Sequence, residues 1–230
     1  MSLQTRESLD LLRGRYEQVE DRIARAAARA GRRREDITLV AVTKTFPPEV
    51  TRDAYALGMR HFGENYVQEF QGKSAQLGDL TDAVFHLIGH LQSNKSNVAA
   101  QLFDVIQTVD TPKLARRLDS VGKVLDVFLE VKLGDEESKS GARPEELPEI
   151  IEAVSASPNL RLKGLMVIPP WSEDQEFSRP YFSQLRELAE KHRLNGLSMG
   201  MSNDFEAAIE EGATHVRVGT ALFGRRTRKP

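Results

Sequence analysis

The chain has 230 residues, 40% of them hydrophobic and 29% charged, which suits one globular domain. A formal net charge of -2 argues against a nucleic-acid or anionic-membrane binder, and the absence of cysteine excludes disulfides, thiolate metal sites and a cysteine nucleophile. The five histidines lack metal-ligand spacing, the N-terminus lacks the apolar segment of a signal peptide, and no stretch approaches the ~20 apolar residues of a membrane span. A single domain over 1–230, cytoplasmic and free of metal, is the expectation.

Residues 5–30 read as one amphipathic helix, with Leu9, Leu12, Tyr16, Val19, Ile23, Ala27 and Ala30 on one face and Gly31 as its stop. The segment 1–31 is expected to pack on the rest as an extra layer. A strand–helix rhythm follows. The strand Leu39–Val42 precedes a helix closing at Gly58, and residues 59–63 form a strand before a helix at about 65–77. Strand 83–89 precedes a short helix within 94–101, and strand 104–109 precedes a helix with Pro112 in its first turn and Gly122 at its end. Strand 124–131 precedes helix 144–156, and strand 162–168 precedes helix 175–193. Strand 195–200 leads into helix 203–212, and 214–219 is the last strand.

Several of these strands are apolar on both faces, as parallel strands covered by helices should be. Strict βα repetition over eight strands in roughly 200 residues suits an α/β fold of the closed (β/α)8 TIM-barrel type. An open doubly wound sheet is the alternative, weakened by the lack of a Gly-rich fingerprint after the first strand.

Active sites of such barrels lie at the C-terminal strand ends. Lys44 stands there after the first strand, with no carboxylate adjacent in sequence. Burial would favour its neutral amine, the form that attacks a carbonyl to make a Schiff base; a lysine snorkelling into solvent is the plainer alternative. After the seventh strand, the loop containing Met199, Gly200 and Ser202 leads into a helix whose Asn203 and Glu206 have capping-box spacing. After the eighth, Gly219 and Thr220 stand where backbone N–H groups can approach an anion. The two loops together predict a phosphate site at the usual barrel position.

A lysine facing a phosphate cup suggests a phosphosugar in a class I aldolase, or pyridoxal 5'-phosphate (PLP). Arg217 precedes Gly219 by two residues on the same strand, so it points to the same side. Facing a pyridine nitrogen it would donate a hydrogen bond and weaken the ring as an electron sink; a salt bridge to Asp204 or Glu206 is the alternative. Glu64 and Glu130 are the candidate acid/base carboxylates of an aldolase, and Glu130 has Lys132 or Lys163 as an alternative structural partner. His90 reads as a helix cap or ring neighbour, Lys95 and Lys139 as loop lysines near the mouth, and Trp171 as a cover or loop anchor.

The segments LVAVTK, FGENYVQE, HLIGHLQSNK, GLMVIPP and LSMGMSNDFEAAIEEGATHVRVGTALFG together resemble the PLP homeostasis proteins, single-domain relatives of the alanine racemase barrel, over about residues 5–224. The resemblance implies PLP on Lys44, with phosphate contacts from Ser202, Gly219 and Thr220 and the Ser198–Met201 loop, which includes Met199 and Gly200, nearby. It implies Arg217 at the pyridine nitrogen and Asn65 near the ring. It implies a role in vitamin B6 homeostasis rather than turnover, with PLP-dependent apo-enzymes as candidate recipients; a monomer is the expected state, which the sequence itself does not show. Racemisation requires a second acid/base on the opposite face of the cofactor. The racemases supply it as a tyrosine from an added C-terminal domain, and none of Tyr16, Tyr55, Tyr66 and Tyr181 lies at a late strand end.

Overall fold

The computed structural model describes residues 3–134 and 140–224, with side chains in the first helix from Leu9 onward. The eight expected strands are present: β1 (Thr38–Val42), β2 (His61–Glu64), β3 (Val84–Leu87), β4 (Val105–Val109), β5 (Leu125–Glu130), β6 (Leu160–Met166), β7 (Gly196–Met201) and β8 (His215–Val218). They pair in parallel, in sequence order, and β8 closes on β1 with Val40 opposite Arg217. This is the (β/α)8 barrel that strict βα repetition predicts.

The helices are α1 (Leu3–Arg29), α2 (Pro48–Ala56), α3 (Val67–Ser74), α4 (Ser96–Leu102), α5 (Pro112–Asp119), α6 (Leu147–Ser155), α7 (Arg179–Lys191), α8 (Phe205–Glu210) and α9 (Thr220–Phe223). Pro112 opens α5 at a position whose N–H would have no helical partner, and the Thr111 hydroxyl accepts from Leu114 N at 3.2 Å. α3 is shorter than its sequence pattern at both ends: Asn65 and Tyr66 belong to the turn that leaves β2, and the helix closes at Ala75. α9 was not expected: one turn of helix follows β8 directly.

α1 lies outside the ladder. It buries Leu12, Val19, Ile23, Ala26 and Ala27 and packs on α8 and α9. Arg22 with Glu206 and Arg29 with Glu210, each at 2.7 Å, flank this apolar seam. Gly31, at φ +66°, ends the helix in the left-handed region.

Side-chain alternation sorts each strand into a helix-facing and a lumen-facing set. Phe62, Phe70, Phe85 and Phe103 stack between strands and helices. The lumen holds an apolar plug of Val105, Phe128 and Met166 beside a group of polar side chains, His61, His86, His215 and Arg217 among them.

Candidate functional site

Lys44 follows β1 at the C-terminal mouth and is half-buried. Thr45 has φ +66°, which costs a β-branched residue energy and marks a turn held by its surroundings. Beneath the turn Lys73 Nζ donates to Thr43 O and Phe46 O, each at 3.1 Å, while Glu69 Oε1 accepts from Thr45 N. Lys73 also pairs with Glu64 at 2.8 Å, and Thr43 Oγ1 donates to the same Glu64 oxygen at 2.7 Å. The turn that carries Lys44 therefore rests on a buried charged cluster from α3 and the end of β2.

Across the mouth, Ser202 Oγ accepts from Gly219 N and Ala221 N, each at 3.2 Å. The hydroxyl holds the loop after β7 against the start of α9, and its own hydrogen remains available to a ligand. The expected Asn203–Glu206 capping box does not form. Asp204 is the residue preceding α8, and its Oδ1 accepts from Met201 N at 2.6 Å. Asn203 turns outward to donate to Ser172 O at 3.1 Å, and Glu206 is taken by Arg22. Asp204 places a carboxylate at the α8 end of the cup, so an anion is better received at Gly219 and Thr220.

Gly200 explains how the cup can be this tight. It has φ +88°, and a Cβ there would lie 2.5 Å from Ala208 Cβ and 2.9 Å from Phe205 Cα. Met199 is fully buried in the core cluster. Both stand behind the cavity wall and neither lines it.

Arg217 is 3% exposed. Its Nη1 donates to Ser198 Oγ at 2.7 Å and its Nη2 to Val167 O at 2.8 Å. Among the described residues neither Asp204 nor Glu206 pairs with it, since each is committed elsewhere. Burial pulls the guanidinium down to about 10, with Asp204 and Glu130 opposing, so it stays protonated at neutral pH.

These elements enclose a cavity of about 250 Å³ lined by Lys44, Asn65, Ser202, Arg217, Gly219 and Thr220 among others. Its size, below the ~300–1,000 Å³ of drug-sized sites, suits a single substituted ring. Asn65 Oδ1 is buried there with no hydrogen-bond partner among the described residues. An orphaned acceptor on a cavity wall is what a bound polar group would satisfy. Gly89 lets this wall close up, since a Cβ there would meet Asn65 O at 2.3 Å.

Val42, Ile88, Ile168 and Met201 supply an apolar wall; Ile168 and Met201 stand at expected strand ends, while Val42 and Ile88 were hidden in apolar strand runs. Trp171 lines the rim and is 76% exposed. His90 is exposed and caps no helix, Lys95 and Tyr66 lie off the cavity lining, and Lys139 is outside the described residues. Glu64 and Glu130 do not line the cavity either, which leaves an aldolase reaction without its acid/base pair. Among the described residues Glu130 pairs with neither Lys132 nor Lys163: it accepts from Ser140 Oγ at 3.4 Å, and Lys163 is drawn to Asp126 at 3.5 Å.

The sequence matches the family described as alanine racemase, N-terminal domain, over residues 15–227. A pyridoxal phosphate homeostasis protein of Pseudomonas aeruginosa is 48% identical, covering 90% of this chain and 93% of that protein. A protein of the same name from Aquifex aeolicus is 46% identical over 92% of this chain and 97% of its own. The structure of PipY from Synechococcus elongatus with PLP bound is 42% identical, with a TM-score of 0.76 over 82% of this chain and 93% of that one. Alanine racemase from Corynebacterium glutamicum, 18% identical with a TM-score of 0.70 over 95% of this chain and 62% of its own, shares the fold.

Proposed function

This chain belongs to the family of the pyridoxal phosphate homeostasis proteins, with an alanine racemase N-terminal domain over residues 15–227, and on that premise we propose that it binds PLP at the C-terminal mouth of its barrel and serves vitamin B6 homeostasis. The observation that carries the reading is the cavity that joins Lys44, Arg217 and the Gly219–Thr220 turn around an unsatisfied Asn65 Oδ1.

The residues fit the group. Lys44 would hold its aldehyde carbon covalently, and Ser202, Gly219 and Thr220 would receive its phosphate. Arg217 would face the ring nitrogen, and Asn65 would accept a hydrogen bond from the ring's edge. Val42, Ile88 and Met201 offer an apolar wall to its faces. Met199 and Gly200 serve the site from behind, by holding the end of β7 against α8.

PLP supplies an electrophilic carbonyl and an electron-withdrawing ring. Arg217 restrains the second property: a permanent donor at the ring nitrogen keeps that nitrogen from taking up a proton. Arg217 stays charged, and no tyrosine lines the cavity among the described residues. The arrangement therefore suits holding the cofactor better than racemisation. Handover to apo-enzymes that depend on PLP, by a monomer acting in the cytoplasm, completes the proposal. No helix of the described residues is long and apolar enough to cross a membrane.

The test is an absorbance spectrum of the purified protein, then borohydride reduction and peptide mass mapping. A yellow protein with a pyridoxyl adduct on Lys44 is the expected result. The Lys44→Ala variant should lose the adduct while the cup still retains some cofactor, so colour and covalent attachment are scored separately. A protein that stays colourless with added PLP overturns the proposal.

A further inference from the structure

Barrel lumens of this fold are ordinarily filled by branched apolar side chains. Here polar side chains run through the lumen from the cavity toward the N-terminal face. Arg217 Nη1 donates to Ser198 Oγ at 2.7 Å, and Ser198 Oγ donates to Gln107 Oε1 at 2.6 Å. Gln107 Nε2 meets His86 Nδ1 at 2.9 Å, and His86 Nε2 meets His61 Nδ1 at 2.9 Å. Ser198, Gln107 and His86 are all buried, so water does not substitute for a broken link.

The chain has one direction. A guanidinium only donates, so Ser198 accepts from it and spends its single hydrogen on the Gln107 carbonyl. The Gln107 amide nitrogen then donates to His86 Nδ1. That leaves His86 protonated on Nε2, where it donates to His61 Nδ1. We infer that Ser198, Gln107, His86 and His61 form a one-way hydrogen-bond relay that orients Arg217 toward the cavity, with Gln107 and His86 as positioning residues. Its effect on the cofactor rests on the reading above; the relay itself does not. With Ser198 misdirected, Val167 O alone would hold the guanidinium, and its plane could turn.

The far end of the relay is where protons can enter. His61 forms one wall of a second cavity of about 240 Å³ lined also by Tyr16, Glu20, Arg34 and Arg60. Glu20 is held by Arg34 through two contacts of 2.6 Å, and Arg60 by Asp82 at 2.7 Å. The other groups near the histidines are His215, Arg217 and Lys163, which add no negative charge. Burial lowers both His61 and His86 from 6.5, and for His86 the neighbouring His61 and His215 add to it, so both rings favour the neutral form. Acid would place a proton on His61 Nδ1, the atom that accepts from His86, and the relay would have to break or reverse.

The experiment is side-chain 15N NMR of the full-length protein, with and without PLP, for wild type, Gln107→Leu and Gln107→Glu, together with PLP titrations from pH 5 to pH 8. The wild type should show His86 protonated on Nε2 and Arg217 Nη signals split by restricted rotation. Gln107→Leu should merge those signals, shift the absorbance of bound PLP and weaken its binding by about tenfold, the effect of one lost charged hydrogen bond. Gln107→Glu still accepts from Ser198, so the Arg217 signals and the affinity should stay within about twofold, while His86 Nδ1 should carry a proton to donate to the new carboxylate.

A wild-type His86 protonated on Nδ1 would overturn the relay. So would a Gln107→Leu protein with unchanged Arg217 signals and affinity. Should Gln107→Leu fail to fold, a Gln107→Glu protein whose His86 Nδ1 stays without a proton overturns it instead. If the wild type takes up no PLP, the histidine and arginine signals still decide the relay, and only the cofactor reading falls.

Discussion

Lys73 Nζ stands 2.8 Å from Glu64 Oε1, and both side chains are almost wholly buried. Burial raises the Glu64 carboxyl, and Lys73 and Thr43 pull it back. The pair closes the base of the turn that presents Lys44. Lys73→Met leaves Glu64 without its cation, which should cost ~3–5 kcal/mol at pH 8. Part of that loss should return at pH 5, where Glu64 takes up a proton, and Lys73→Met combined with Glu64→Gln should recover most of it. Urea midpoints at the two pH values check this, and equal losses at both would contradict a buried charge as the cause.

Gly200 predicts a steric result of a different kind. Its φ of +88° and the 2.5 Å approach to Ala208 leave no room for a methyl group. Gly200→Ala should destabilise by more than ~2 kcal/mol, from left-handed strain plus overpacking against α8. Thermal unfolding measures it. Because the same displacement moves Met201 and Ser202, PLP affinity should fall alongside stability; an unchanged melting temperature would mean that β7 yields there at no cost.

The barrel and the cavity's main polar residues were legible because each lies at a strand end, and strand ends follow from hydrophobic runs bounded by helix starts. Lys44, Asn65, Ser202, Arg217, Gly219 and Thr220 converge for that reason. Lys73 was not legible: within its helix it looks like an ordinary surface lysine, and only the crossing of α3 under the β1 turn buries it. Gln107 was hidden in the apolar run VIQTV, where alternation marks it as facing one side without saying that the side is the lumen. The Asn203 cap failed because α8 begins one residue later than its pattern suggests: Asp204 precedes the helix and turns its carboxylate back to Met201 N, while Asn203 is drawn to Ser172 O.

Glu130 carries the next prediction. The residue is 5% exposed, its Oε2 has no hydrogen-bond partner among the described residues, and burial with the Asp110 charge pushes the carboxyl up to about 7. The folded state therefore binds a proton that the unfolded state has released between the ordinary value of 4.5 and about 7. Stability falls as pH rises through that window, by about 3 kcal/mol in total for this group. Glu130→Gln should gain on wild type by that amount at pH 8 and by little at pH 4.5. A constant difference across the range would mean that Glu130 ionises as freely in the fold as outside it.

His215 has the opposite sign over nearly the same range. Burial, with His61, Arg217 and Lys163 nearby, holds its ring down to about 4 from 6.5. Between those values the unfolded chain binds the proton first, so stability rises with pH, again by about 3 kcal/mol in total. From 4.5 to 6.5 the two groups oppose each other, one proton against one. Glu130 and His215 together should therefore add almost no slope to the wild-type stability curve there, and each single variant should expose the other. His215→Asn should lose stability as pH rises through this window relative to wild type, Glu130→Gln should gain it, and the double variant should return toward the wild-type slope. Urea unfolding of the four proteins at half-unit pH steps measures the slopes. Two single variants whose slopes depart from wild type in the same direction would contradict the assignment of opposite proton linkages to the two ends of the lumen.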